Sequence, residues 1–420
     1  MVAGEEPLRG DIAVRDDRIL AVGVAGAVPA DFRPSRTVEA GGHLVLPGLI
    51  NTHSHAAMNL LRGYADDLPL MPWLTERIFP VEARLTGDDV YWGTGLAILE
   101  MIASGTTCFA DMYFFMDRVA QMVEDAGMRA FLSRGLIGGA PNGAEALAEG
   151  LALAEAWQGR GDGRITVMLG PHAPYTCPPA YLERVVAAAQ ELGLGIHIHL
   201  AETAGEGEEI RRLYGRSPVA HLERLGVFDV PALAAHCVHL DAADIGILAE
   251  KGVGVAHNPV SNLKLGSGIA PLLALRRAGV AVGLGSDGAA STNTLDLFQE
   301  IKLAAWLAKG TSGDPAAFGA RQALELATVG GAAVLGRAGE LGQVRPGFLA
   351  DLIVLSTDRP HLTPAHDLYS LAAYAATGGD VETVIIAGRV VYSGGEYHTL
   401  DRERILREGR TRAAALVGNG

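Results

Sequence analysis

Lysine is scarce in this 420-residue chain: only Lys251, Lys264, Lys302 and Lys309, and none before residue 251. That gap bears on metal chemistry below. Cysteine is scarcer still. Cys108, Cys177 and Cys237 are too few and too scattered for a disulfide framework or a CxxC metal knuckle, which fits a reducing, cytoplasmic setting. No apolar run approaches the roughly 18 residues of a membrane span, and the acidic start Met1-Val-Ala-Gly-Glu-Glu carries no signal-peptide pattern. Positive charge is also short. Lys and Arg number 34 against 48 Asp and Glu, so the formal charge is 34 − 48 = −14. A net-acidic chain is not expected to bind nucleic-acid polymers or anionic membranes, which call for basic patches.

Apolar residues make up 49% of the chain and charged residues 20%, enough for a large core. Short β-branched and apolar runs alternate with longer amphipathic ones. Strands are expected at Leu44–Ile50, Thr106–Met112, Met128–Gly135, Ile165–Gly170, Gly195–Leu200, Leu233–Val238, Gly252–His257 and Val280–Ser286. Helical patterns such as Asp88–Ser104, Pro178–Leu192, Ala242–Lys251 and Leu295–Lys309 lie between them. Eight such alternations predict a (β/α)8 TIM barrel over residues 47–341, with a doubly wound open sheet as the rival. The flanks differ. Gly10–Val22 reads as a hairpin turning at Asp16-Asp17, and Gly342–Leu355 and Val381–Tyr392 read as strands. Residues 1–46 and 342–420 are therefore expected to form a small β-sandwich of N- and C-terminal strands.

Polar residues collect where the strands end. The first expected strand runs into His53-Ser54-His55, the third ends at Arg134, and the fourth runs into His172. The fifth carries His197, His199 and then Glu202; the sixth carries His236 and His239; the last two end at His257 and Asp287. C-terminal strand ends of a barrel converge on one face, where active sites are built. His53 and His55, two apart, share one side of a strand and suit a common metal ion, although a histidine pair alone is equally an ordinary polar strand end. His199 and Asp287 would complete a set of three imidazoles and one carboxylate with room for water. On residue type alone, His197 competes with His199.

The segments PGLINTHSHAAMNLLRG (47–63), HIHLAE (197–202), AAHCVHL (234–240), HNPVSNLKLGSGIAP (257–271) and GSDGAASTNTLDLFQEIKLA (285–304) resemble the amidohydrolase superfamily. Within it they resemble the 5′-methylthioadenosine/S-adenosylhomocysteine deaminases. The likeness runs from about Gly10 to Tyr397. It implies one divalent metal, Zn²⁺ first with Fe²⁺ or Mn²⁺ as alternatives, on His53, His55, His199 and Asp287. Two-metal members bridge their ions with a carboxylated lysine in the first half of the barrel, and no lysine is available there. The resemblance further implies that Asp287 accepts a proton from the attacking water, His236 orients that water, and Glu202 protonates a ring nitrogen so that C6 of an adenine loses ammonia. Glu82 in PVEARL (80–85) would take the ribose hydroxyls. His172 in GPHAPY (170–175) would bind the nucleoside, Arg134 in SRGL (133–136) would sit near the 5′ substituent, and Trp73 would line the pocket or fill the core.

The chain departs from that pattern twice. Users of S-adenosylhomocysteine carry a second arginine about a dozen residues after the first, but residues 138–146 contain none. One arginine makes half a carboxylate clamp, so 5′-methylthioadenosine, 5′-deoxyadenosine or adenosine is expected ahead of S-adenosylhomocysteine. The hairpin also begins after only nine residues, where relatives carry one or two more strands, which predicts a reduced small sheet or a late-assigned start. The partner is thus a small nucleoside, and association into homo-oligomers is compatible with barrels of this kind. The alternatives are another amino-heterocycle hydrolase, acting on guanine, a pterin or a triazine, and a catalytically silent scaffold.

Overall fold

The computed structural model describes residues 6–24 and 26–418. Eight parallel strands close into a barrel: β4 (Leu49–Ser54), β5 (Thr106–Tyr113), β6 (Arg129–Leu136), β7 (Ile165–Pro171), β8 (Gly195–Leu200), β9 (Ala232–His236), β10 (Gly254–His257) and β11 (Val282–Leu284). The ring closes where Leu284 of β11 meets Asn51 of β4. Helices cover the outside, so the strands are buried on both faces and read as near-continuous apolar runs. In β9, Leu233 and Ala235 point into the barrel with Ile50, Cys108, Ala110 and Phe131, while Ala232 and Ala234 face the helices.

A bulge aims the first histidines. Between Asn51 and Ser54, β4 carries one residue more than β5 does between Phe109 and Asp111. The extra residue resets the inside–outside alternation. Ser54 faces outward, donating to Asp111 Oδ1 at 2.9 Å. His53 and His55, on either side of it, turn inward.

The chain ends build two antiparallel sheets beside the barrel. β1 (Asp11–Arg15) and β2 (Arg18–Gly23) form a hairpin. β3 (Leu44–Pro47) joins β12 (Leu352–Leu355), β13 (Val381–Ile386), β14 (Arg389–Ser393) and β15 (Glu396–Tyr397) in the order β15-β14-β13-β12-β3. Ile19 of the hairpin packs with Val344, Ala350 and Leu352. Three expected strands are corrected. Leu44–Ile50 splits at Gly48, whose amide bonds Asp351 O while the Leu49 amide bonds Gly105 O, both at 2.9 Å. The chain passes there from sheet to barrel, so close to Thr107 that a Cβ on Gly48 would lie 2.1 Å from its hydroxyl. Val381–Tyr392 splits at Ala387-Gly388, both with positive φ (48° and 74°), as a two-residue hairpin turn requires. Within Gly342–Leu355 only the last four residues are extended strand. Among the described residues, no helix is long and apolar enough to cross a membrane.

Candidate active site

Side chains at the C-terminal strand ends meet in one cavity lined by His55, His172, His199, Glu202, His236 and Asp287, joined by Glu82 from a neighbouring helix, with Trp73, Phe79, Phe114 and Tyr175 among its apolar walls. At its base, Asp287 Oδ1 lies 3.4 Å from His53 Nε2 and 3.3 Å from His55 Nε2. His199 Nε2 is 3.3 Å from His55 Nε2. His53, His55 and Asp287 form one group whose donor atoms lie within 4.8 Å of one another; His53, His199 and His236 form another.

Each imidazole is held by its other nitrogen. His55 Nδ1 lies 2.6 Å from Met112 O and His199 Nδ1 lies 2.7 Å from His172 O. Both must therefore donate Nδ1–H, which leaves the Nε2 lone pairs free for a cation. His53 Nδ1 lies 2.8 Å from His197 Nε2, and His197 Nδ1 is 3.4 Å from Ser133 Oγ. His197 thus stands behind His53 rather than in the cluster. Asp287 Oδ2 accepts from Ser261 at 2.6 Å and Ser291 at 2.9 Å, so Oδ1 is left to the histidines.

The electrostatics suit a cation. Burial lowers His53 to about 3 and holds His199 well below the usual imidazole range. Both are neutral at pH 7, and no proton competes for the lone pair. Burial opposes ionisation of Asp287, but the His53 imidazole 3.4 Å away and the other nearby imidazoles outweigh it and keep the group a carboxylate. His53 Nε2 is buried without a hydrogen-bond partner, an orphan nitrogen that a metal ion would satisfy. Three nitrogens and one oxygen fit zinc or another borderline divalent ion.

Glu202 sits beside this cluster. Its Oε1 accepts from Ser267 Oγ at 3.2 Å and its Oε2 lies 3.9 Å from His236 Nε2. Burial raises the Glu202 carboxyl, and it raises Glu82 likewise. Burial would lower His236, but the Glu202 and Asp287 carboxylates outweigh it and raise the group. His236 is steadied through Nδ1 by Asn262 Oδ1 at 2.8 Å. His172 lies in the wall, its Nδ1 3.0 Å from Thr176 Oγ1. Burial lowers it to about 4.

Arg134 is the exception. Its Nε bonds Glu149 at 2.6 Å and its guanidinium stacks over Phe114, 5.1 Å from the ring centre. Phe114 and Gly135 line the cavity there, and Arg134, between the Phe114 ring and Glu149, lies next to them in the chain rather than in the lining itself. Of the other histidines, His239 donates Nε2–H to the Ser267 carbonyl at 2.7 Å; His257 is buried.

Several participants escaped notice in the sequence. Asp111, Ser261, Asn262, Ser291 and Glu206 hold the chemical groups without belonging to them. The only hint was polarity inside otherwise buried turns, as in NPVSN (258–262) and SDGAAS (286–291).

Comparison with known proteins gives the family. The amidohydrolase family matches residues 44–391. A 5-methylthioadenosine/S-adenosylhomocysteine deaminase of Desulforudis audaxviator is 54% identical over 99% of this chain and 96% of its own. The same-named protein of Pelotomaculum thermopropionicum is 55% identical over 97% and 94%. The crystal structure of an adenosine deaminase from Xanthomonas campestris with bound zinc superposes with a TM-score of 0.92 at 39% identity, covering 96% of this chain and 93% of that one. Atrazine chlorohydrolase from Arthrobacter aurescens, complexed with zinc, follows at 0.88 and 25%, covering 96% and 94%. With its family pattern spanning most of the barrel and half its residues shared with full-length relatives, this chain belongs to the amidohydrolase family.

Proposed function

We propose that this chain is a metal-dependent hydrolytic deaminase that converts the 6-amino group of a 5′-substituted adenosine to the inosine product and ammonia. The observation that carries the reading is one cavity lined by His55, His199 and Asp287 beside a buried carboxyl, Glu202, with His53 Nε2 buried against Asp287 at its edge. The relatives' printed names supply the substrate class. The ion, taken as zinc because the Xanthomonas campestris adenosine deaminase was crystallised with it, would supply Lewis-acid activation of water at neutral pH.

The chain's own residues do the rest. Asp287, held as a carboxylate, accepts a proton from the attacking water. His236, braced by Asn262, orients that water and offsets charge developing at C6. Glu202, whose burial favours the protonated form, donates to the ring nitrogen beside C6 and so makes that carbon electrophilic. Asp287 passes its proton to the amino group, which leaves as ammonia, and the C6 hydroxyl gives up its proton as the carbonyl forms, restoring the Glu202 acid. Glu82 accepts from the ribose hydroxyls, His172 packs against the nucleoside, and the apolar wall at Phe114 receives the 5′ group. Since Arg134 is occupied by Glu149, 5′-methylthioadenosine, 5′-deoxyadenosine and adenosine are preferred to S-adenosylhomocysteine. In this reading residues 47–341 carry the chemistry and 1–46 with 342–420 form a supporting unit.

A screen of purified, zinc-loaded protein tests it by following the adenine-to-hypoxanthine ultraviolet shift. Turnover of 5′-substituted adenosines, with none of guanine, pterins or chlorotriazines, is expected. Turnover of one of those heterocycles without any adenosine would replace the proposal.

A further inference from the structure

We infer that Glu206 is a positioning residue that aims Glu202 through the backbone. The inference rests on the proton-donor role just proposed for Glu202, and it concerns a carboxylate that never reaches the cavity wall. Glu206 lies in the first turn of the helix Ala204–Tyr214, whose N-cap is Thr203; the Thr203 hydroxyl accepts from the Glu206 amide at 3.3 Å. An acid at that position ordinarily reaches back to the N-cap amide. Glu206 passes over it. Its Oε1 accepts from the Ala201 amide at 2.8 Å and its Oε2 from the Glu202 amide at 3.0 Å.

Two oxygens on two successive amides fix the peptide between Ala201 and Glu202. That peptide needs fixing, because Ala201 has φ 51°, a left-handed conformation that a residue with a Cβ holds only when its surroundings impose it. The carbonyl of Ala201 is gripped too, by the amides of Val238 at 3.0 Å and His239 at 2.9 Å. These residues follow His236. Through one clamped residue, Glu206 thus sets the direction of the Glu202 side chain and its spacing from His236. Glu206 is 4% exposed and Glu202 6%, so water cannot replace the clamp without opening the site.

The test is a double-mutant cycle on the full zinc-loaded chain, comparing wild type, Glu202→Gln, Glu206→Gln and the double variant, with 5′-methylthioadenosine as substrate. Zinc content and thermal midpoint are recorded for each. Glu206→Gln replaces one accepting oxygen by a donor that faces an N–H. It is expected to lower kcat about 10- to 100-fold, the scale of an ångström-sized misplacement, with KM within about threefold and zinc retained. On the Glu202→Gln background the same change is expected to alter kcat less than about twofold, because the residue it acts through is already disabled. Unchanged kcat in Glu206→Gln, or an undiminished loss on the Glu202→Gln background, overturns the inference. Should Glu206→Gln unfold, Glu206→Asp goes through the same cycle under the same two outcomes: it keeps the charge but is one methylene short. Failure of the underlying reading looks different, since Glu202→Gln would itself keep wild-type kcat.

Discussion

A neutral imidazole buried among other imidazoles is unstable unless something uses its lone pair, and at this site His53 and His55 face Asp287 Oδ1 while His199 faces His55. Burial keeps His53 and His199 unprotonated, and carbonyls fix which nitrogen of His55 and His199 faces inward. Removing the ion with a chelator is therefore expected to abolish turnover and lower the thermal midpoint, with one equivalent of zinc restoring both; a midpoint indifferent to chelator and zinc would contradict this. Asp111, behind the first two histidines, gives a pH prediction. It accepts from Ser54 and the Ala56 amide, yet burial pushes its carboxyl up to about 6. In the unfolded chain it titrates near ~3.9. Between these values the folded chain holds a proton that the unfolded chain has lost, so this contribution to stability is full below pH ~4 and disappears as pH rises through about 6. Asp111→Asn removes the titration. In chelator-treated protein, the wild type should lose about 3 kcal/mol relative to the variant between pH 4 and 7, read by urea unfolding across that range. A constant difference would refute it. At this scale the chemical groups were legible in the sequence, since histidines, Glu202 and Asp287 stand at strand ends. Their supports were not, because Asp111, Asn262 and Glu206 look like any polar residue until the chain folds.

Elements aim these residues by breaking their own regularity. Ala201, His236 and Asp287, at or just beyond the ends of three strands, all have positive φ (51°, 74° and 58°). Each reversal costs about 1–3 kcal/mol, and each swings a side chain that strand alternation would direct elsewhere. The bulge in β4 does the same for His53. None of this is written in hydrophobic periodicity, which is why the strand count was readable and the exit of each strand was not. Glycine marks one such exit. Gly285 lies between β11 and Asp287, and a Cβ there would stand 2.3 Å from Asn258 Oδ1 and 2.8 Å from His53 Cβ. Gly285→Ala must push β4 or β10 away. It is expected to lower stability by about 1–3 kcal/mol, the scale of overpacking a core, and to weaken zinc retention in the folded protein. Urea unfolding with metal analysis decides; an alanine variant with wild-type stability and zinc content would show that the contact relaxes freely.

At the scale of the molecule, barrel and flanking sheet are joined by a buried ion pair. Arg129, at the start of β6, donates Nε to Asp351 Oδ2 at 2.9 Å and Nη2 to Oδ1 at 3.2 Å, and Asp351 also accepts from the Ala387 amide at 2.8 Å. The two side chains are 2% and 3% exposed. Asp351→Asn leaves Arg129 charged without a counter-charge and is expected to cost about 3–5 kcal/mol, seen as a lower urea midpoint; a shift under about 1 kcal/mol would mean that water enters and solvates the guanidinium. The barrel and the mixing of both chain ends were legible from eight strand–helix alternations and the flanking hairpin patterns. The hand-over at Gly48 was not, because Leu44–Ile50 is apolar throughout and only pairing partners divide it. The missing lysines keep their meaning at this scale: with none before residue 251, the first half of the barrel has no lysine to bridge a second ion.

The central claim concerns a bond at C6 of an adenine ring. Its most direct test is to incubate the zinc-loaded chain with 5′-methylthioadenosine in ¹⁸O-enriched water and to measure product mass and ammonia together. The expected result is 5′-methylthioinosine carrying one ¹⁸O atom, with one ammonia released per product. Unchanged nucleoside, or cleavage to free adenine without ammonia, would contradict it.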